Sequence, residues 1–406
     1  MSLTLEYPET INVAGAATGQ SLLRVWWAVA SRFLIHGLVV STWVSRIPSV
    51  KASLHLNDGV LGLALLGSAI GSVIGIPLCG WVVSRYGSKR AATWTSAGFC
   101  LAMVLPAFAT NAVTLFAALF LFGAMAGSND VAMNAQGVAV ERLMGTPTMS
   151  RFHGMFSLTA IFGAAAGGVF ASRAISTQQH FLIMGAIFLA FAMGTAPFLM
   201  ESQVDKAATG SRRLRIRHLP PALLALSAIG FCIFLSEGAI ADWTAIYLKE
   251  VLGAGPGLAA AGFAVFCAAM TVFRLFGDAL TVRLGAAWTI RGGAILAACG
   301  LASALLVRSP YWALPGFVLA GAGFSSIIPL VFAAGGRIKT VSEGAGVATV
   351  SGIGYLGFLV GPPAIGFVSQ MTNLRVGLAL LVLLSALAAT LVSIAAKQED
   401  NSAPVR

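Results

Sequence analysis

Asp130 and Asn134 stand four residues apart in the stretch GAMAGSNDVAMNAQGVAVER, Gly123 to Arg142, with Asn129 and Gln136 beside them. Residues four apart share one face of a helix. The segment around them is apolar, and a charge at bilayer depth costs several kcal/mol or more. A carboxyl with an amide one turn away can carry a proton, contact a polar ligand, or pair with a neighbouring helix. Asp130 lies 11 residues before Glu141, the polar end of the segment. At about 1.5 Å per residue that is roughly 16 Å inside, close to the middle of a membrane.

Other polar residues interrupt apolar runs. Arg32, His36 and Trp43 follow spacings of four and seven and lie on one helical stripe. Arg32 could pair with a deprotonated Asp130, bind an anionic group, or snorkel to the interface. His36 is a relay or ligand on one reading and a satisfied packing residue on the other. Glu237 stands 18 residues after Leu219, in the outer half of its segment, as a second proton site or a gate contact. Asp242 reads as a cap or gate residue. Trp243 sits near a segment end, where Trp is ordinarily an interfacial aromatic. Ser351, Tyr355, Phe358 and Pro362 form a further stripe.

Several chemistries are excluded. The five cysteines lie unpaired in apolar segments without metal-ligand spacing, so neither a disulfide framework nor a metal site is expected. There is no Ser/His/Asp set, and no Gly-rich loop followed by Lys-Ser/Thr, hence no ATPase engine, no enzyme and no cofactor. The net charge of +11 does not indicate nucleic acid, because no basic patch is interleaved with aromatics.

The elements that must position these residues are membrane helices. Hydrophobic residues make up 58% of the chain and charged ones 10%, against roughly a quarter charged in soluble domains. Apolar runs long enough to span, about 20 residues, fall near 23–45, 59–83, 91–110, 112–140, 153–173, 181–200, 220–247, 257–281, 288–307, 312–335, 345–369 and 376–396. The fold class is all-α integral membrane: twelve transmembrane helices in two six-helix bundles. The expected divisions are 1–200, a polar linker 201–219, and 220–406. Fourteen Lys and Arg, from Arg85 to Lys339, fall on one side of this arrangement and six on the other. The rich side should be cytoplasmic, with both termini there.

The halves repeat in parallel. Arg85 to Arg283 and Gly87 to Gly285 are both offset by 198 residues, as are Gly154 to Gly352 and Gly163 to Gly361. A parallel six-plus-six repeat is the organisation of the major facilitator fold. The loop GWVVSRYGSKR resembles that superfamily's signature through Gly80, Arg85, Gly87, Lys89 and Arg90, with Ser84 at the usual acidic position. The second half keeps Asp278, with Arg274 four residues before and Arg283 five after. Arg274 and Asp278 are expected to pair as part of a cytoplasmic gate.

The stretch NDVAMNA further resembles the fourth span of the fucose–proton symporter and its sugar-permease-like bacterial relatives. It places Asp130 on that branch's acid and Asn134 on its asparagine, with Ala135 where the branch has proline. The resemblance implies a secondary transporter in a bacterial inner membrane, acting as a monomer and coupled to protons. It implies a small polar solute as partner, sugar-like or acid-like, with a drug or metabolite exporter as the alternative. Asp130 and Glu237 are then the proton candidates. Arg32, His36, Asn129, Asn134, Trp243 and Tyr355 are the candidate solute contacts, and Trp243 would stack on a sugar ring.

Overall fold

The computed structural model describes residues 19–146, 148–201, 219–338 and 341–400. The first half holds α1 (Gly19–Ser53), α2 (Asp58–Tyr86), α3 (Ser88–Ala102), α4 (Ala112–Met144), α5 (Met149–Ser172) and α6 (Thr177–Thr195). The second holds α7 (Pro221–Ile246), α8 (Pro256–Leu284), α9 (Ala286–Leu306), α10 (Pro310–Phe324), α11 (Ile327–Gly336), α12 (Glu343–Met371) and α13 (Leu374–Asp400). Among the described residues, twelve helical segments are long and apolar enough to cross a membrane, α10 and α11 together making one. The interior of the expected linker, 202–218, lies outside the described residues.

Two spans depart from the expected continuous helices. The third ends at Ala102 and finishes in a 3-10 turn, Leu105–Phe108. The tenth breaks at Ser325 and Ser326. Pro329 lies just past the break. It has no N–H to give the Ser325 carbonyl four residues earlier, so one rung of the ladder is missing there.

The 198-residue repeat has a backbone reason. Gly87 has φ 82° and ψ 155°, and Gly285 has φ 83° and ψ 156°. That combination is essentially open to glycine alone. Each donates its N–H to the carbonyl four residues earlier, Val83 in one half and Thr281 in the other. The two glycines of the loop motif therefore build one tight turn twice.

Within the halves, glycine lets backbones touch. A Cβ added at Gly67, Gly71 or Gly75 of α2 would run into the carbonyls of Phe116, Phe120 and Ala124 on α4. From the other side, Gly123 and Gly127 face Ser68 and Ser72. Hydrocarbon supplies no hydrophobic push between helices, so such close van der Waals contact is what holds them. Ser72 and Ser128 add hydrogen bonds across the seam, to the carbonyls of Gly123 (2.9 Å) and Gly75 (3.1 Å).

Gly71→Ala should lower the Tm of the purified protein in detergent, because its new methyl meets backbone; overpacking of this kind costs about 1–3 kcal/mol. Gly80→Ala is the control, since nothing lies within 4 Å of a Cβ there. Equal Tm values for the two variants would contradict the seam.

Candidate functional site

The two halves meet most closely at the end away from the chain termini. There Gly62 of α2 lies against the Pro362 carbonyl and Gly366 of α12, and Gly168 of α5 lies against Gly257 of α8. An ion-pair cluster closes the same end. Lys51, at the last turn of α1, holds Asp58 at 2.7 Å and also Glu250, in the π-helical turn that follows α7. Lys51 is only 7% exposed, so this charge is largely shut away from solvent and joins the two halves. Toward the termini, Gly154 of α5 and Gly352 of α12 have open space where a side chain would be. Close glycine contacts between the halves such as those at the Lys51 end are not found at these two positions.

Several polar residues of the spans are partly exposed, Asp130 and Glu237 well inside their helices and Asp242 near the far end of α7. Asp130 of α4 is partly exposed, and Asn134 donates its amide to Asp130 Oδ1 (3.2 Å) and to the Asp130 carbonyl (2.8 Å). Glu237 and Asp242 of α7 are likewise partly exposed. The Tyr355 phenol of α12 is 42% exposed and lies within Coulombic reach of both Asp130 and Glu237. Tyr355 of the second half is thus in electrostatic range of a carboxyl in each half. Its ring stacks on Phe234 at 4.9 Å and 13°, and Phe234 also meets Phe332 (6.1 Å) and Phe358 (5.0 Å). The wall beside the carboxyls is aromatic.

Arg274 of α8 adds a cation. Its Nε donates to the Ser325 carbonyl at 3.0 Å, the group that Pro329 leaves without a helical partner. Arg274 also lies within Coulombic reach of Glu237. The break in the tenth span thus supplies an orphan acceptor, and the guanidinium takes it. The expected partner of Arg274 in the gate is Asp278, four residues on. The Asp278 side chain lies outside the described residues.

Other expected site residues turn elsewhere. Arg32 is fully buried and does not reach Asp130; it donates to the Ala192 carbonyl (2.7 Å) and to Thr195 Oγ1 (3.1 Å), in the last turn of α6. A cation there meets orphan carbonyls and the negative end of the helix dipole. Asn129 is fully buried, with its amide nitrogen 3.1 Å from His36 Nδ1 and its oxygen accepting from Ser96 (2.7 Å) and Thr95 (3.3 Å). His36 is buried between that amide and the rings of Phe99 and Phe156. Trp243 is 0% exposed in the hydrophobic core, so its ring reaches neither open space nor lipid. Gln136 clamps the start of α3 and the end of the first half, bonding Ser88 Oγ (2.6 Å) and both backbone groups of Met200.

On the terminus-bearing side, Gly80, Arg85, Arg90 and Arg283 are exposed. Arg85 lies over the Tyr86 ring, and Ser84 turns back on its own helix to the Trp81 carbonyl (2.8 Å). Lys89 binds the Pro197 carbonyl (3.1 Å) and Glu201 (3.3 Å). Sequence reasoning missed the Lys51 cluster. The available signal was a Lys ending one span and an Asp opening the next, seven residues on, but Glu250 lies 199 residues away.

The profile of the Major Facilitator Superfamily matches residues 28–342. The chain belongs to that superfamily. It is 35% identical over 354 residues to an uncharacterised MFS-type transporter of Yersinia pestis, covering 87% of this chain and 91% of that one. It is 32% identical over 381 residues to the membrane protein MosC of Rhizobium meliloti, covering 94% and 92%. Among solved structures, a bacterial homologue of the lysosomal transporter Spinster, inward-facing and unoccupied, aligns with TM-score 0.74 at 15% identity, over 96% of this chain and all of that one. The nucleoside transporter NupG aligns at 0.76 and 12% identity, over 92% and 99%. The fold is the two-bundle major facilitator fold, and the protein is a multi-pass membrane transporter of bacterial type rather than an enzyme.

Lys51→Met leaves two carboxylates facing each other at the closed end. A cysteine placed at position 355, in a background without the native cysteines, should then be labelled from the Lys51 side by an impermeant maleimide about tenfold faster, equivalent to about 1.4 kcal/mol. Unchanged labelling would show that the glycine contacts alone keep that end shut.

Proposed function

We propose that this transporter couples the movement of a small, hydroxyl-bearing polar solute to protons by alternating access. The observation that carries the reading is Asp130, a partly exposed carboxyl inside an apolar span, bonded to Asn134 and paired with no cation among the described residues. A carboxyl at mid-depth that no cation pairs, among the described residues, carries the least charge penalty when it holds a proton. A proton taken from one side therefore eases the passage of Asp130 through the occluded form, and its release on the other side resets the cycle. Asn134 keeps the Asp130 carboxyl oriented and, with Tyr355, offers hydrogen bonds to a hydroxylated solute.

Among the described residues the carboxyls Asp130 and Glu237 stand against the guanidinium of Arg274, a balance that disfavours an organic acid. A sugar-like solute fits better, in keeping with the resemblance to the fucose–proton symporter branch. The positive-rich, terminus-bearing side is then the cytoplasm, and the membrane is the bacterial inner membrane. The aromatic wall of Phe234, Tyr355, Phe358 and Phe332 favours a second reading, export of an amphipathic metabolite or drug.

A thermal-shift screen of sugars, acids and amines on purified protein supplies the solute for transport. In proteoliposomes with an imposed pH gradient, Asp130→Asn should abolish uphill accumulation of that solute, while counterflow exchange continues within about threefold of wild type. Undiminished uphill uptake by the variant would remove Asp130 from the coupling role. Hydrophobic amines as the only stabilisers would favour export.

A further inference from the structure

The helices α9 and α13 leave a groove of about 460 Å³ between them. Its walls are apolar, with Ile295 and Ala298 on one side and Ala386 on the other, and neighbouring Leu383, Leu387 and Ile394 are exposed as lipid-facing residues are. Polar groups gather at one end only: Arg291, Thr390 and Ser393. That end is on the terminus-bearing side, because α9 begins there at Ala286 and α13 finishes there.

Arg291 is held in place rather than free. Its Nε donates to the Ala389 carbonyl (3.3 Å) and its Nη2 to Ser393 Oγ, while its guanidinium carbon lies 5.3 Å from the centre of the Trp288 ring. No carboxylate pairs with it among the described residues. Trp288 is 64% exposed, as an aromatic at the headgroup level would be. Arg291 lies five residues inside α9, about 7 Å, within reach of the interface for a snorkelling side chain. The groove runs on to Cys299, about 12 Å further along the helix.

We propose that this groove holds one anionic phospholipid of the terminus-side leaflet. Its phosphate accepts from the Arg291 guanidinium and the Ser393 hydroxyl, and one acyl chain fills the apolar length toward Cys299. An oriented cation with no counter-charge among the described residues, at the polar end of an apolar trough in the bilayer, calls for an anion carrying a hydrocarbon tail. The groove offers no carboxylate to an ammonium headgroup, so a net negative head is preferred over a zwitterionic one. Basic pockets between membrane helices on the cytoplasmic side bind such heads in the same way.

The test is native mass spectrometry with parallel thermal shift, on the full chain delipidated in a neutral detergent. Phosphatidylglycerol, phosphatidylcholine and inorganic phosphate are titrated separately. Wild type should retain phosphatidylglycerol about tenfold more tightly than phosphatidylcholine and gain Tm with it, and inorganic phosphate should do neither. Arg291→Gln should lose one retained phosphatidylglycerol. Since that change also cuts the tie between α9 and α13, Ala298→Trp serves as the second variant; it fills the trough with Arg291 intact and should lose the same lipid. Equal retention of both lipids, full retention by Ala298→Trp, or stabilisation by inorganic phosphate equal to that by the lipid would each overturn the proposal.

Discussion

Hydrocarbon solvates neither a charge nor an unpaired peptide group, and the arrangement of this protein follows from that. Asn129 and Asp130 are chain neighbours, set about 100° apart around α4 by a helix of 3.6 residues per turn. That rotation sends Asn129 into its own bundle, where His36, Ser96 and Thr95 satisfy it. It leaves Asp130 partly exposed, bonded to Asn134 one turn on. The polar interruption in α4 thus has two faces, one holding a bundle together and one carrying the proposed proton site.

The same rule governs backbone groups. Pro329, just past the break in the tenth span, strands the Ser325 carbonyl at a depth where no bulk water is available. Arg274 meets that carbonyl with its Nε, and the guanidinium is thereby fixed beside Glu237. A defect in one helix sets the electrostatics of the site through a neighbour. Arg32 follows a parallel logic against the frayed end of α6. Both arginines donate to backbone carbonyls, Arg274 to Ser325 and Arg32 to Ala192, and a carbonyl can accept a charged donor without itself bearing a charge in hydrocarbon.

Closure rests on two interactions of different kind. Glycine contacts such as Gly62 with Pro362 bring backbones together over a wide area, and they make no demand on charge. The Lys51 cluster adds a pair that is favourable only when shut, since each member needs the others once water is excluded. A transporter must reopen, and a few ion pairs over a glycine seam can part without unfolding either bundle.

What was legible from the chain alone is what depends on local pattern. The twelve spans follow from the length of apolar runs, and the repeat at Gly87 and Gly285 follows from a turn that admits only glycine. Asp130 with Asn134 was readable because four residues make one helical turn. Tertiary structure alone decided where Arg32 and Trp243 point, that Lys51 meets a residue 199 positions away, and that Arg274 serves a broken helix. Those outcomes depend on which helices become neighbours and how each is rotated. A nearly uniform apolar sequence carries little of that information, because lipid and protein interior are almost equally apolar surroundings for a helix face.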